Sequence, residues 1–172
     1  MKHGQTITVT HLSFLEEGDT ALAVSNIHQR IQNDESFPLS SLSLNFGRSP
    51  HRHWIVFTAE SNKTQDVVLE LSNPFIYHLE LYDSAGKRLC QTGAAFRFAQ
   101  RPLLHRRFAI PLSLHSGQNT FYLMADRRDE LLRFTMDFYS KEEFVNHRAS
   151  EAVFFGGLFG ILLFIAVFSL AL

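Results

Sequence analysis

The chain is nearly without cysteine: among 172 residues Cys90 stands alone. That excludes an intramolecular disulfide and any cysteine-built zinc site. Charge of one sign is not in excess either, with 16 Lys and Arg against 17 Asp and Glu. A nucleic-acid binder would show a basic stripe, and His51-Arg52-His53 and Arg106-Arg107 are too short to make one, so no nucleic-acid partner is expected. Also missing are an N-terminal apolar stretch of about 7–15 residues and a small-residue cleavage site, so Met1-Lys2-His3-Gly4 does not open a signal peptide. The familiar catalytic signatures are absent: no Gly-x-Ser-x-Gly elbow, no phosphate loop, no His-Glu-x-x-His helix. Glu16-Glu17 and Glu142-Glu143 are neighbouring carboxylates at element ends, whereas glycoside hydrolysis needs two acids facing each other across a substrate. No catalytic residue and no cofactor are expected.

What is present is one long apolar run. Residues 152–172 carry no charge, and about 20 apolar residues at 1.5 Å rise span roughly the 30 Å of a bilayer's hydrocarbon core. Only a helix satisfies its own backbone there, so the run predicts a transmembrane helix with the lipid bilayer as its partner. A buried helix of a soluble protein rarely needs to be apolar on every face. Residues 141–151 are polar, free of Gly and Pro, and compatible with one stiff helix running into the span. The expected organisation is a soluble domain over 1–140, a helical connector over 141–151, and a first transmembrane helix over 152–172. The run stops at Leu172 without flanking Lys or Arg, which suggests a piece of a longer membrane protein with Met1 as an added start. A domain of this size without disulfides rests on its hydrophobic core alone.

Before that run the apolar pattern has mostly a period of two. Thr6, Thr8 and Thr10 alternate with Ile7 and Val9, predicting a strand over 5–17. Ala21, Val24, Ile27, His28 and Ile31 are spaced for a short amphipathic helix. Leu42 and Leu44 alternate with serines, and Asn45 to Pro50 reads as a turn. Trp54-Ile55-Val56-Phe57 is apolar on both faces, so its strand should be central. Val67, Leu69 and Leu71 form another inward row, as do Leu79 and Leu81. Asp83-Ser84-Ala85-Gly86 signals a hairpin. Short strands are expected over 88–91 and 95–99, then inward rows at Phe108, Ile110 and Leu112, a turn over 116–119, and rows at Phe121 and Leu123 and at Phe134, Met136 and Phe138. About eight or nine short strands with turns every 8–12 residues predict an all-β, antiparallel sandwich.

The order of several short motifs is similar to that of a known family. They are Phe14-Leu15-Glu16-Glu17, Asn45-Phe46-Gly47-Arg48-Ser49 with Trp54 after it, and Leu69-Glu70-Leu71-Ser72-Asn73-Pro74 leading into His78-Leu79-Glu80-Leu81-Tyr82. Gly93, Gln100-Arg101-Pro102-Leu103, Arg106-Arg107-Phe108 and Gly156-Gly157-Leu158-Phe159-Gly160 follow. Together they resemble the second type of extracellular sensor domain found in bacterial seven-transmembrane receptors with diverse intracellular signalling modules. The resemblance implies a jelly-roll-like sandwich outside the cytoplasmic membrane, facing the periplasm or exterior. It further implies remaining transmembrane helices and a cytoplasmic signalling module such as a diguanylate cyclase or histidine kinase. A carbohydrate-like ligand is implied only through the family's likeness in fold to carbohydrate-binding modules.

Candidate binding residues follow from chemistry. Tyr77 and Tyr82 stand at polar-facing positions and would offer ring faces to a sugar, whereas Trp54, inside an apolar run, reads as core. In the segment 100–107, Arg101, His105 and Arg107 would suit a carboxylate, phosphate or hydroxyl ligand. The competing reading is a solvated loop whose arginines pair with Glu60, Glu70 or Glu80. His51 and His53 share a strand face but lack a closed ligand set even with His78 or His105, so no metal site is assigned. In the membrane run, Ala152, Gly156 and Gly160 recur every four residues and would let another helix approach, in a receptor bundle or a homodimer.

The function expected is ligand sensing. A small polar or carbohydrate-like molecule shifts the sandwich, and the connector carries the shift to the membrane. Two other classes stand beside it: a membrane-anchored protein-interaction domain without a small ligand, and a glycan hydrolase, which would need facing carboxylates.

Overall fold

In a strand every second side chain shares a face, so alternating apolar residues close a core only against a second sheet. The computed structural model, which describes residues 7–18, 22–33, 35–128 and 130–171, has this arrangement. Its strands are β1 (Ile7–Glu16), β2 (Phe37–Pro38), β3 (Ser43–Arg48), β4 (His53–Ser61), β5 (Gln65–Leu71), β6 (His78–Asp83), β7 (Arg88–Thr92), β8 (Phe108–Leu114), β9 (Gly117–Asp126) and β10 (Leu131–Ser140). Helix α1 (Val24–Gln32) follows β1, and α2 (Lys141–Ala171) follows β10. Six strands pair in the order β2-β1-β4-β9-β6-β7 and four in the order β3-β10-β5-β8, and every pairing is antiparallel.

The inward rows meet between the sheets. Ile55, Phe57, Leu79, Leu81, Phe121 and Leu123 from the larger sheet join Val67, Leu69, Leu71, Phe108, Ile110, Phe134 and Met136 from the smaller in one buried cluster. β4 is central, between β1 and β9. Its other face is also covered: Trp54 and Val56 pack with Leu15, Tyr122, Met124 and Ile27 of α1. The doubly apolar run Trp54-Ile55-Val56-Phe57 thus serves two clusters, and Trp54, 2% exposed, is a packing residue. The all-β antiparallel sandwich followed by a long C-terminal helix agrees with the sequence pattern.

Three local expectations are corrected. Residues 45–48 lie inside β3 instead of forming a turn, because Gly47 (φ 71°) sits where the β3–β10 register slips; a glycine bulge keeps the strand paired through an apparent turn motif. Residues 95–99 form no strand. Gly93 (φ 140°) takes the chain so close to Tyr77 that a Cβ there would lie 2.3 Å from its carbonyl oxygen. Beyond it, Ala94 and Ala95 donate to the carbonyls of Ile76 and Tyr77, and a short 3-10 turn, Phe98–Gln100, follows. The turn expected over 116–119 is shorter, since β9 starts at Gly117. The tiny β2 brings the described strands to ten.

Candidate functional site at the joint between sandwich and helix

β10 passes into α2 with no intervening residue. Ser140 and Glu143 make this possible through a reciprocal capping box. The Glu143 amide donates to Ser140 Oγ (3.1 Å), and the Ser140 amide donates to Glu143 Oε2 (2.9 Å). Glu142 and Glu143 also place negative charge on the helix's first turn, where the backbone dipole favours it.

The first turns of α2 lie on the outer face of the smaller sheet. Phe144, 3% exposed, packs on Val68 of β5 and Ala109 of β8, with Leu103 and Tyr139 beside it. Lys141 Nζ reaches Asp66 Oδ2 at 2.7 Å, which holds the Asp66 carboxyl below its usual range. Tyr139 stacks on His147 at 5.2 Å between centroids.

The segment 97–107 clasps the helix from the other side. Arg101 is turned inward: Nη1 donates to the carbonyls of His105 (2.8 Å) and Arg106 (3.0 Å), and its guanidinium lies 4.5 Å from the Phe108 ring centroid. Arg107 Nη1 donates to Oε1 of Glu70 at 2.5 Å, and Glu70 is fully buried. His105 Nε2 lies 3.2 Å from Glu70 Oε2 without hydrogen-bond alignment, and its ring meets Phe144 edge-on at 5.4 Å. Burial pushes the His105 pKa down, against the opposing pull of Glu70 and Glu151. Arg106 grips Glu151 with both arms, Nε to Oε2 at 3.0 Å and Nη2 to Oε1. That hydrogen bonding lowers the Glu151 pKa and raises the Arg106 pKa. Arg148 Nη2 donates to the Leu104 carbonyl at 3.3 Å. Arg101, His105 and Arg107 are therefore together, and of the three carboxylates considered as partners it is Glu70 that meets His105 and Arg107, while Arg101 is spent on backbone carbonyls; Glu80 pairs instead with Arg88 and His78.

The tyrosines lie elsewhere. Tyr77 precedes β6, its ring beneath the Arg128 guanidinium at 3.6 Å, in a cleft of about 340 Å³ that Phe75, Arg127 and Glu130 also line. Phe75 and Arg127 border a neighbouring cleft of about 480 Å³ with Ser72, Asn73 and Arg133. Tyr82 packs on Trp54 (5.7 Å) in the cluster that α1 covers. Its hydroxyl donates to Glu80 Oε2, and burial, then Glu80, push its pKa to about 12. The structure thus separates Tyr77, Tyr82 and the arginine segment into three places. His53 is buried against Phe46 and Phe14, and among the described residues no three His, Cys, Asp or Glu are grouped to hold a metal.

Sequence reasoning did not single out Phe144 or Glu151. The Ser140-x-x-Glu143 spacing was the signal available for the start of α2; Phe144, with Val145 and Ala149 in an otherwise polar stretch, makes no apolar period that would mark it. Beyond the joint, an 18-residue window of α2 has mean hydropathy 2.6 with none of it buried. Ala152, Gly156 and Gly160 are exposed, with open space around both glycines.

The 7TMR-DISM extracellular 2 family matches residues 9–140, the extent of the sandwich. No curated protein sequence matches. Among solved structures, a GH31 alpha-xylosidase from Xanthomonas citri aligns at TM-score 0.38 and 9% identity, over 80% of this chain and 17% of that enzyme. A likeness of that size carries no argument about activity.

Proposed function

Since this chain belongs to the 7TMR-DISM extracellular 2 family, the outward-facing domain of a membrane receptor, we propose that its sandwich binds a small polar or carbohydrate-like ligand. The binding shift then passes along α2 to further transmembrane helices and a cytoplasmic signalling module. The observation that supports this most is the unbroken path from β10 through the capping box into α2, with no flexible linker to absorb displacement. The ligand site we favour is the cleft of Tyr77, Arg127 and Arg128. It offers the Arg128 guanidinium stacked on the Tyr77 ring, beside an Arg127 held by the Phe75 carbonyl and Glu130, a set suited to hydroxyls or a carboxylate. Its arginines stand in the turn between β9 and β10, so ligand pulling on that turn acts on the strand whose far end is Ser140. A cleft of about 520 Å³ near Pro111 and Asn119 reaches α2 only through exposed side chains, Ser113 to Asp66 to Lys141. Arg101, His105 and Arg107 then transmit rather than bind, and Tyr82 supports the sheet. Ala152, Gly156 and Gly160 would face the other helices or a second copy.

Ligand moves the equilibrium only by the difference between its affinities for two states; a coupling of about 1–3 kcal/mol needs a 5–150-fold difference. Thermal-shift screening against sugars, organic acids and peptides tests the reading. A stabilising class should appear, and Tyr77→Ala and Arg128→Ala should each abolish its effect. If saturating ligands of every class leave melting unchanged, small-molecule sensing is sunk. The second reading, docking of a protein partner, draws on Phe75 (67% exposed) and Leu131 (47%) at the same end of the sandwich. It predicts instead that Phe75→Ser abolishes cross-linking to an extracytoplasmic protein.

A further inference from the structure

Two large apolar side chains on the clasping segment, Phe98 (53% exposed) and Leu104 (56%), have no place in the sandwich core. They share a cavity of about 270 Å³ with Ala152 and Phe155, the first turn of the apolar run, and with Arg106 and Arg148. The Arg106 guanidinium lies 5.0 Å from the Phe155 ring centroid, which sets the depth of the segment against the helix. Phe155 is about 5 Å along the axis from Ala152, so whatever surrounds the first turn of the span also surrounds Phe98 and Leu104. Around a membrane-spanning helix at that level lies the boundary between headgroups and acyl chains, where aromatic rings and the long stems of arginine are favoured.

The charges fit the same surroundings. Glu151 is engaged by Arg106 and Arg107. Arg148, by contrast, meets the Leu104 carbonyl and the Phe144 ring and, among the described residues, no carboxylate. A guanidinium at the headgroup level with donors to spare suits a phosphate oxygen.

We propose that the segment 97–107 is an interfacial anchor. Phe98 and Leu104 enter the outer leaflet's headgroup boundary, and Arg148 takes the phosphate of an anionic phospholipid. The joint thereby rests on the bilayer surface as well as on the sandwich. This needs α2 to span the membrane and is independent of which ligand the sandwich binds.

The test uses the full chain in vesicles of equal phosphatidylglycerol and phosphatidylcholine, one or the other brominated high on the acyl chains. Phe98→Trp introduces an indole at an exposed position, while Trp54, buried in the sandwich, supplies the unquenched baseline. Brominated phosphatidylglycerol should quench the introduced indole, with an enrichment over phosphatidylcholine of about fivefold, the size one arginine near an anionic surface provides. Arg148→Gln should bring that ratio close to one. Absence of quenching in a chain that floats with the vesicles overturns the anchor, as does equal quenching by both lipids. A chain that does not float overturns it together with the membrane-spanning reading of α2.

Discussion

Trp54 shows how one side chain can belong to two networks. Its ring fills the cluster under α1, and its Nε1 donates to Oε1 of the buried Glu17 at 2.7 Å. Trp54→Phe keeps an aromatic ring but leaves that carboxylate short of a donor, so a loss of about 1–3 kcal/mol is expected. Urea unfolding followed by circular dichroism measures it, and Glu17→Gln in the same background should recover part. His53 gives the pH dependence. Burial, opposed by the weaker attraction of Glu16, lowers its pKa below the ordinary imidazole value of about 6.5. The unfolded chain then takes up the proton first, so this group's stabilising contribution is complete above pH 6.5 and falls as pH drops toward the lowered folded value. His105 acts in the same sense. Melting temperature should therefore decline below pH 6.5, less steeply in His53→Phe; an unchanged slope would remove His53 from the account. The burial of Trp54 was legible in its apolar neighbours. That of His53 was not, because imidazole is as common on surfaces as inside.

At the scale of elements, the joint combines interactions of very different strength. Arg107→Ala would strand the fully buried Glu70 carboxylate, which costs about 3–5 kcal/mol. Arg106→Ala removes an ion pair whose arginine is 48% exposed and should cost under about 1 kcal/mol. It nevertheless removes the two-armed hold on Glu151 and leaves only the longer approach of Arg107 at 3.7 Å and of His147 at 3.5 Å, so amide exchange of residues 145–151 should accelerate while the melting temperature barely moves. Hydrogen exchange by mass spectrometry distinguishes the two variants; parallel effects on both readouts would mean the clasp has no separate role. Among the elements themselves, β1, β5, β6, β8, β9 and β10 were readable from alternation, and β4 from its doubly apolar run. The exceptions, at Gly47 and beyond Gly93, are places where a glycine's positive φ changes what neighbouring residues do. Pattern reading assigns Asn-Phe-Gly-Arg to a turn, and only pairing with β10 makes it a strand.

For the molecule as a whole, the sandwich and the apolar part of α2 bury nothing against each other yet are continuous in the chain, β10 running straight into α2. No part of the apolar window is buried by the sandwich, while the docked residue Phe144 lies before it. A chain ending at Glu151 should keep the melting temperature of the sandwich and lose flotation with vesicles. A marked drop in melting temperature would show that the span contributes to the globular core. Sequence alone determined the two-sheet architecture and the long apolar C-terminal helix, because strand alternation and an uncharged run of bilayer length are local patterns that solvent partitioning reads directly. Tertiary structure decided what the arginine segment does. Whether a guanidinium meets ligand, water, Glu70 or Glu151 depends on residues dozens of positions away, and no local period encodes that proximity. The buried carboxylate and the clasp exist only once the segment before β8 and the first turns of α2 have packed on the outer face of the four-stranded sheet.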